Sequence, residues 1–224
     1  MKGFFSYESG FFQFLVLLAN LIFLNLLFLL CCLPVVTIGA AQAGLMNASR
    51  VIQDPEDDSS WLKAFFRGFT SGFGRITVIW SACMVIIAVM VYLLFAVIYL
   101  DAIWHNGPMI SAILALTAFM LFQSMVVAFH SRFECSIRKL IRNAWFMIFM
   151  HPIKACCMAL LVWGPVILGL LDLYLFFQLT PAWMFLYYSA AFQGCVRLMR
   201  SPFQKVQDQF LSAKLEKAEV GDNS

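Results

Sequence analysis

The sequence predicts an all-α membrane protein: a polytopic transmembrane helical bundle of six segments, with both termini cytoplasmic. Three observations predict it. Hydrophobic residues make up 62% of the chain, against about 45–50% in an ordinary soluble domain. Charged residues make up 12%, about half the usual share of roughly 25%. Finally, the apolar residues fall into long uncharged runs separated by short polar or basic segments, the pattern of helices crossing a hydrocarbon core of about 30 Å. The same composition excludes a disordered chain, a disulfide scaffold and a nucleic-acid-binding domain, and a net charge of +3 gives no reason to expect a nucleic-acid partner.

From Ser9 to Ser49 no residue is charged. As one helix that run would measure about 60 Å, twice what a bilayer needs. Pro34 interrupts it, so two segments are expected, at about 11–33 and 34–51. The second is rich in small residues (Gly39, Ala40, Ala41, Ala43, Gly44, Ala48), and the Ala40-x-x-x-Gly44 spacing allows helix backbones to approach closely in a membrane. The alternative for this stretch is a five-span topology in which 34–49 is re-entrant. Ala41-Gln42-Ala43 mimics a signal-peptidase site, but the apolar run before it is far longer than the usual 7–15 residues or so, and cleavage is not expected.

The remaining segments are expected at about 76–100, 108–129, 152–177 and 181–199, with a kink at Gly164-Pro165. Residues 1–203 form one bundle, and 204–224 read as a polar cytoplasmic tail whose end is disordered. The expected outer turns each contain a proline, Pro34, Pro108 and Pro181, which suggests three successive αα-hairpins. Orientation follows from the basic residues. Segments 50–75, 130–154 and the C-terminal region carry them, whereas the turns at 33–35, 101–108 and 178–181 carry none. With six crossings all 15 lysines and arginines lie on one side, the cytoplasmic one; with five, only Lys2 moves out.

Two cytoplasmic stretches combine aromatic and basic residues. After Ser60, an expected N-cap, Trp61-Leu-Lys-Ala-Phe-Phe-Arg-Gly-Phe places Leu62, Phe65, Phe66 and Phe69 on one helical face and Lys63 and Arg67 on the other. Arg132 leads into a second stretch, Ser136 to Trp145, carrying Arg138, Lys139 and Arg142. Both read as interfacial helices that anchor to the lipid bilayer, or as docking elements for a cytoplasmic partner.

No catalytic constellation stands out. The seven cysteines form no C-x-x-C pair and have no histidine at metal-ligand spacing, so no metal and no cofactor are expected. Walker A, G-x-S-x-G and H-E-x-x-H motifs are absent. The polar residues expected at membrane depth are Asn20, Asn25, Gln42, Gln123, Asp172 and Gln193, with Asn47 beside them. The amides suit interhelical hydrogen bonds worth roughly 1 kcal/mol each. Asp172, the one ionisable member, is either a functional group at depth or a solvated carboxylate near its helix end.

The N-terminal third carries a resemblance. Met1-Lys-Gly-Phe-Phe, Phe12-Gln-Phe-Leu, Ala19-Asn and Leu24-Asn-Leu-Leu-Phe-Leu-Leu-Cys-Cys-Leu-Pro-Val-Val-Thr-Ile-Gly-Ala-Ala together resemble the YesL family of bacterial membrane proteins, a domain of unknown function. Leu33-Pro-Val-Val-Thr-Ile-Gly-Ala40 is the most specific phrase. Phe65-Phe-Arg-Gly-Phe-Thr-Ser-Gly-Phe is similar to a second landmark, and Arg132-Phe-Glu134 with Arg142-Asn-Ala144 to a third. The resemblance spans about residues 1–200. It implies a small multi-pass protein of the bacterial plasma membrane, close to carbohydrate ABC importers, and it supplies no catalytic residues. The expected function is therefore a non-enzymatic accessory to carbohydrate uptake, in contact with an importer permease or ATPase. The alternative is a permease for small solutes such as saccharides in its own right. Oligomeric state and substrate are not legible in the sequence.

Overall fold

The structure, a computed structural model, describes residues 10–54, 59–99, 106–133 and 136–204. All the regular structure in them is helical: α1 (Gly10–Cys31), a 3-10 turn (Val35–Thr37), α2 (Ile38–Gln53), α3 (Trp61–Thr70), α4 (Phe73–Tyr99), α5 (Asn106–His130), α6 (Ile137–Met150), α7 (Pro152–Leu171) and α8 (Leu173–Gln178). A C-terminal helix follows over 180–204, with a π-helical turn at Trp183–Tyr187.

Four helices are long and apolar enough to cross a membrane: Phe11–Cys31, Phe73–Leu93, Ile113–His130 and Pro152–Gly169. They coincide with the first, third, fourth and fifth expected segments, and the protein is an α-helical membrane protein. The other two expected segments are also helical, but they are not among these four. α2 has 16 residues, a rise of about 24 Å, short of the roughly 30 Å core. The C-terminal helix is interrupted by its π turn and carries Arg197 and Arg200 in its second half. The expected turn at 101–108 lies largely outside the described residues, and the expected tail is outside them beyond residue 204.

α2 is the axis of the bundle. Ten of its sixteen residues are buried, and α1, α3, α4 and α5 all pack on it. Its small residues explain why. A Cβ on Gly44 would come within 2.8 Å of the Phe65 carbonyl oxygen. One on Gly68 would come within 2.8 Å of Asn47 Cβ and 2.9 Å of the Ala43 carbonyl oxygen. α2 and α3 therefore meet backbone to backbone, and Phe65, fully buried, fills the space beside the seam. Around this axis Leu24 and Phe28 of α1, Met125 and Val126 of α5, Met158 and Val162 of α7, and Phe192 and Met199 of the C-terminal helix complete the core.

The turn at 32–37 is fixed by named hydrogen bonds. The Thr37 hydroxyl is 2.6 Å from the Cys31 carbonyl and 2.7 Å from that of Pro34. The Trp80 indole donates to the Val35 carbonyl at 2.9 Å. Between α3 and α4, Gly72 takes φ +64°, a conformation that an L side chain resists, and His130 Nε2 lies 2.8 Å from the neighbouring Ser71 carbonyl.

α7 runs as one helix through Pro165. Proline lacks the N–H that would bond the carbonyl four residues back, here Leu161. The Tyr187 hydroxyl supplies the missing donor at 3.0 Å, and Gly164 leaves it the room to do so. The expected segment 152–177 instead breaks at Asp172, where α7 ends and α8 begins.

Candidate functional site

The polar residues expected at membrane depth serve the helices first. Asn25, wholly buried, donates from Nδ2 to the Met184 carbonyl at 2.6 Å and the Trp183 carbonyl at 3.1 Å, and accepts the Ser189 N–H at 3.0 Å. A π turn disturbs the regular i→i−4 ladder, and Asn25 satisfies the displaced backbone groups from α1. Gln123 Nε2 donates to Gln42 Oε1 at 3.2 Å, joining α5 to α2, while Gln123 Oε1 has no partner. The Gln193 carbonyl accepts from Gln53 Nε2 at 2.8 Å, and its own Nε2 is buried without a partner. Asn20 lines a groove of about 460 Å³ between α1 and the α2–α3 link, together with Trp61. Asp172 is exposed and accepts the Leu175 N–H at 3.0 Å as the N-cap of α8. Among the described residues no group of three His, Cys, Asp or Glu side chains gathers as a metal site would.

Gln42 also faces a cavity of about 260 Å³, walled by Phe28, Trp80, Trp163 and Tyr188. The two indole rings lie nearly parallel with centroids 6.4 Å apart. Trp163 Nε1 has no hydrogen-bond partner.

The two aromatic–basic stretches form helices as expected, but they dock differently. On α3, Phe65 is buried against α2 rather than sharing an outward face with Phe66 and Leu62. Phe69 stacks on Phe65 at 6.3 Å and is partly buried. Lys63, Phe66 and Arg67 remain exposed. α6 buries Leu140, Ala144 and Met147, mainly against α5, and leaves Arg138, Lys139, Arg142, Phe146 and Phe149 exposed.

Arg132, expected with the second stretch, belongs elsewhere. It lines a polar cavity of about 170 Å³ with Arg50, Asp54 and Arg200. Its guanidinium carbon lies 4.6 Å from the Phe203 ring centroid, a cation–π contact. Burial, together with the charges of Arg50 and Arg200, pushes its pKa down to about 10. Arg50 Nη1 donates to the Ser131 carbonyl at 3.1 Å, which pins the end of α2 to the end of α5. The cavity thus joins one arginine from each of the three basic segments at one end of the bundle. Sequence reasoning did not single out Arg50 or Arg200, because it placed both among topological charges; their shared position at the edges of apolar runs was the available signal.

Comparison with known proteins places part of this framework. No curated protein and no solved structure matches the chain. A family model described as protein of unknown function, DUF624, matches residues 21–94, a stretch that contains the Thr37 turn, all of α2, the Gly44–Gly68 seam and most of α4. Through that stretch the chain matches DUF624, the family of membrane proteins that includes the YesL proteins it resembles.

Proposed function

We propose that the protein is a non-enzymatic accessory of the bacterial plasma membrane that presents α3 and α6 to a carbohydrate ABC importer. The observation that carries the reading is the α2–α3 seam. A surface helix held only by lipid would be free to slide; α3 is locked by backbone contact at Gly44 and Gly68, with Lys63, Phe66 and Arg67 directed outward. Rigid presentation of aromatic and cationic side chains is the property a docking surface needs. The sugar assignment rests on the YesL resemblance alone. Crosslinking in native membranes, followed by mild-detergent capture, tests the reading. A permease or ATPase of a sugar importer is expected with the wild type and is lost on combining Phe66→Ala with Arg67→Glu. Equal capture by both, or none by either, overturns it.

The membrane disposition belongs to the same proposal. The end where Arg50, Arg132 and Arg200 meet is taken as cytoplasmic by the positive-inside rule, and with it the C-terminus. The short α2 supports the re-entrant alternative for 34–49: its leading turn contacts α4 at Trp80, only eight residues into a helix of 27. Labelling a cysteine introduced at Lys2 separates the topologies, since six crossings place it inside and five place it outside.

The second reading, a small-solute permease, is favoured by the cavity around Gln42, Trp80 and Trp163. Indole faces and an amide are suitable partners for a saccharide, and interrupted helices beside a central cavity recur in transporters. Saccharide flux into liposomes containing only this protein would establish it.

A further inference from the structure

Among the described residues, Arg50, Arg132 and Arg200 line one cavity together with the carboxylate of Asp54. Arg50, Arg132 and Arg200 come from α2, the α5–α6 link and the C-terminal helix, so the cluster is assembled by the tertiary fold and not by a basic run. Like charges brought together out of water are costly unless an anion compensates them. Arg132 is the member of the cluster whose hydrogen bonding is incomplete. Its Nε is buried with no hydrogen-bond partner, its guanidinium lies over the Phe203 ring, and the charges of Arg50 and Arg200 are near enough to act on it. Gln53 and Gln204 add neutral amides to the same wall.

From this geometry we infer that the cavity is a binding site for a phosphate group, held by Arg50, Arg132 and Arg200. Arginine is the side chain whose planar fork matches phosphate oxygens, whereas lysine acts as a point charge; all three cations here are arginine. Arg200 is exposed, so the cluster is reached from solvent. The site lies at the basic end of the bundle, where the same chemistry is offered by anionic lipid headgroups and by free phosphate.

Two arms separate those sources. In the first, the full chain in phosphatidylcholine nanodiscs is titrated calorimetrically with inorganic phosphate, at fixed ionic strength against chloride. In the second, the detergent-purified chain is offered phosphatidic acid or phosphatidylcholine, and lipid retention is read by native mass spectrometry. Saturable binding in either arm is expected, weakened about ten- to hundredfold by Arg132→Gln, the span for losing hydrogen bonds to a charged group. Arg200→Gln, at an exposed position, is expected to weaken it several-fold. Lys154→Gln removes one charge at the start of α7, outside the cavity, and is expected to leave it unchanged. Phosphate binding identifies a soluble ligand; selective retention of phosphatidic acid alone identifies a lipid. Absence of saturable binding in both arms overturns the site, since the three charges are then answered by the chain's own carboxylates. Equal binding by wild type and Arg200→Gln, or equal losses in Arg200→Gln and Lys154→Gln, overturns it as well, because only overall surface charge then matters.

Discussion

α3 and α6 read alike in sequence, each a short aromatic–basic helix leading into an apolar run, yet they sit in the molecule differently. α3 faces Ala43 and Gly44, sinks to backbone contact and buries Phe65 completely. α6 faces the larger side chains of α5, including Phe122, whose ring lies 5.5 Å from that of Trp145, and keeps Trp145 41% exposed. How deeply an amphipathic helix docks is thus decided by the side chains of the helix it meets. Its own pattern says which face is apolar, not whether lipid or protein covers that face.

The sharpest test of this difference compares two aromatic truncations. Phe65→Ala opens a cavity in the seam and is expected to cost about 3–5 kcal/mol, whereas Trp145→Ala is expected to cost much less. Melting of the detergent-solubilised protein, its accessible thiols such as Cys156 and Cys157 blocked beforehand, followed by a thiol-reactive dye that reports exposure of the buried Cys83 and Cys195, measures both. Equal losses would break the comparison. Gly68→Val comes next: its added atoms meet Asn47 and the Ala43 carbonyl, and overpacking of this kind costs about 1–3 kcal/mol. The same assay is expected to show a clear drop in melting temperature, and an unchanged value would mean that α3 is not held by close approach. Asn25→Leu leaves the Ser189 N–H and the Met184 carbonyl without their partner, for an expected loss of about 1–2 kcal/mol. Faster amide exchange at Ser189 would localise that effect to the π turn. Trp145→Ala removes mainly a ring contact with Phe122 and is expected to cost about 0.5–1.5 kcal/mol.

The depth of each polar residue was legible in part. Asn25, Gln42, Gln123 and Gln193 stand out in apolar runs, and all four are buried. Their partners were not legible, because they lie 81 to 164 residues away along the chain for Gln123 and Asn25. Asp172 illustrates the limit from the other side. An acid inside an apolar run suggests a functional group, but here the helix breaks at that residue, and its carboxylate caps the next turn. Arg132 shows it again, since proximity in sequence assigned it to α6 while folding carried it to Arg50 and Arg200.

By itself the sequence determined the class, the membrane environment, the apolar helices α1, α4, α5 and α7, and the YesL resemblance. Those follow from composition and from uncharged run lengths, which act locally and need no partner. Only the tertiary structure decided that α2 is a short buried axis, that α3 locks onto it through two glycines, that Tyr187 and Asn25 satisfy the backbone around Pro165 and the π turn, and that three arginines share one cavity. Each of these depends on which surfaces meet, and such meetings are set by close packing and hydrogen-bond satisfaction between segments far apart in the chain.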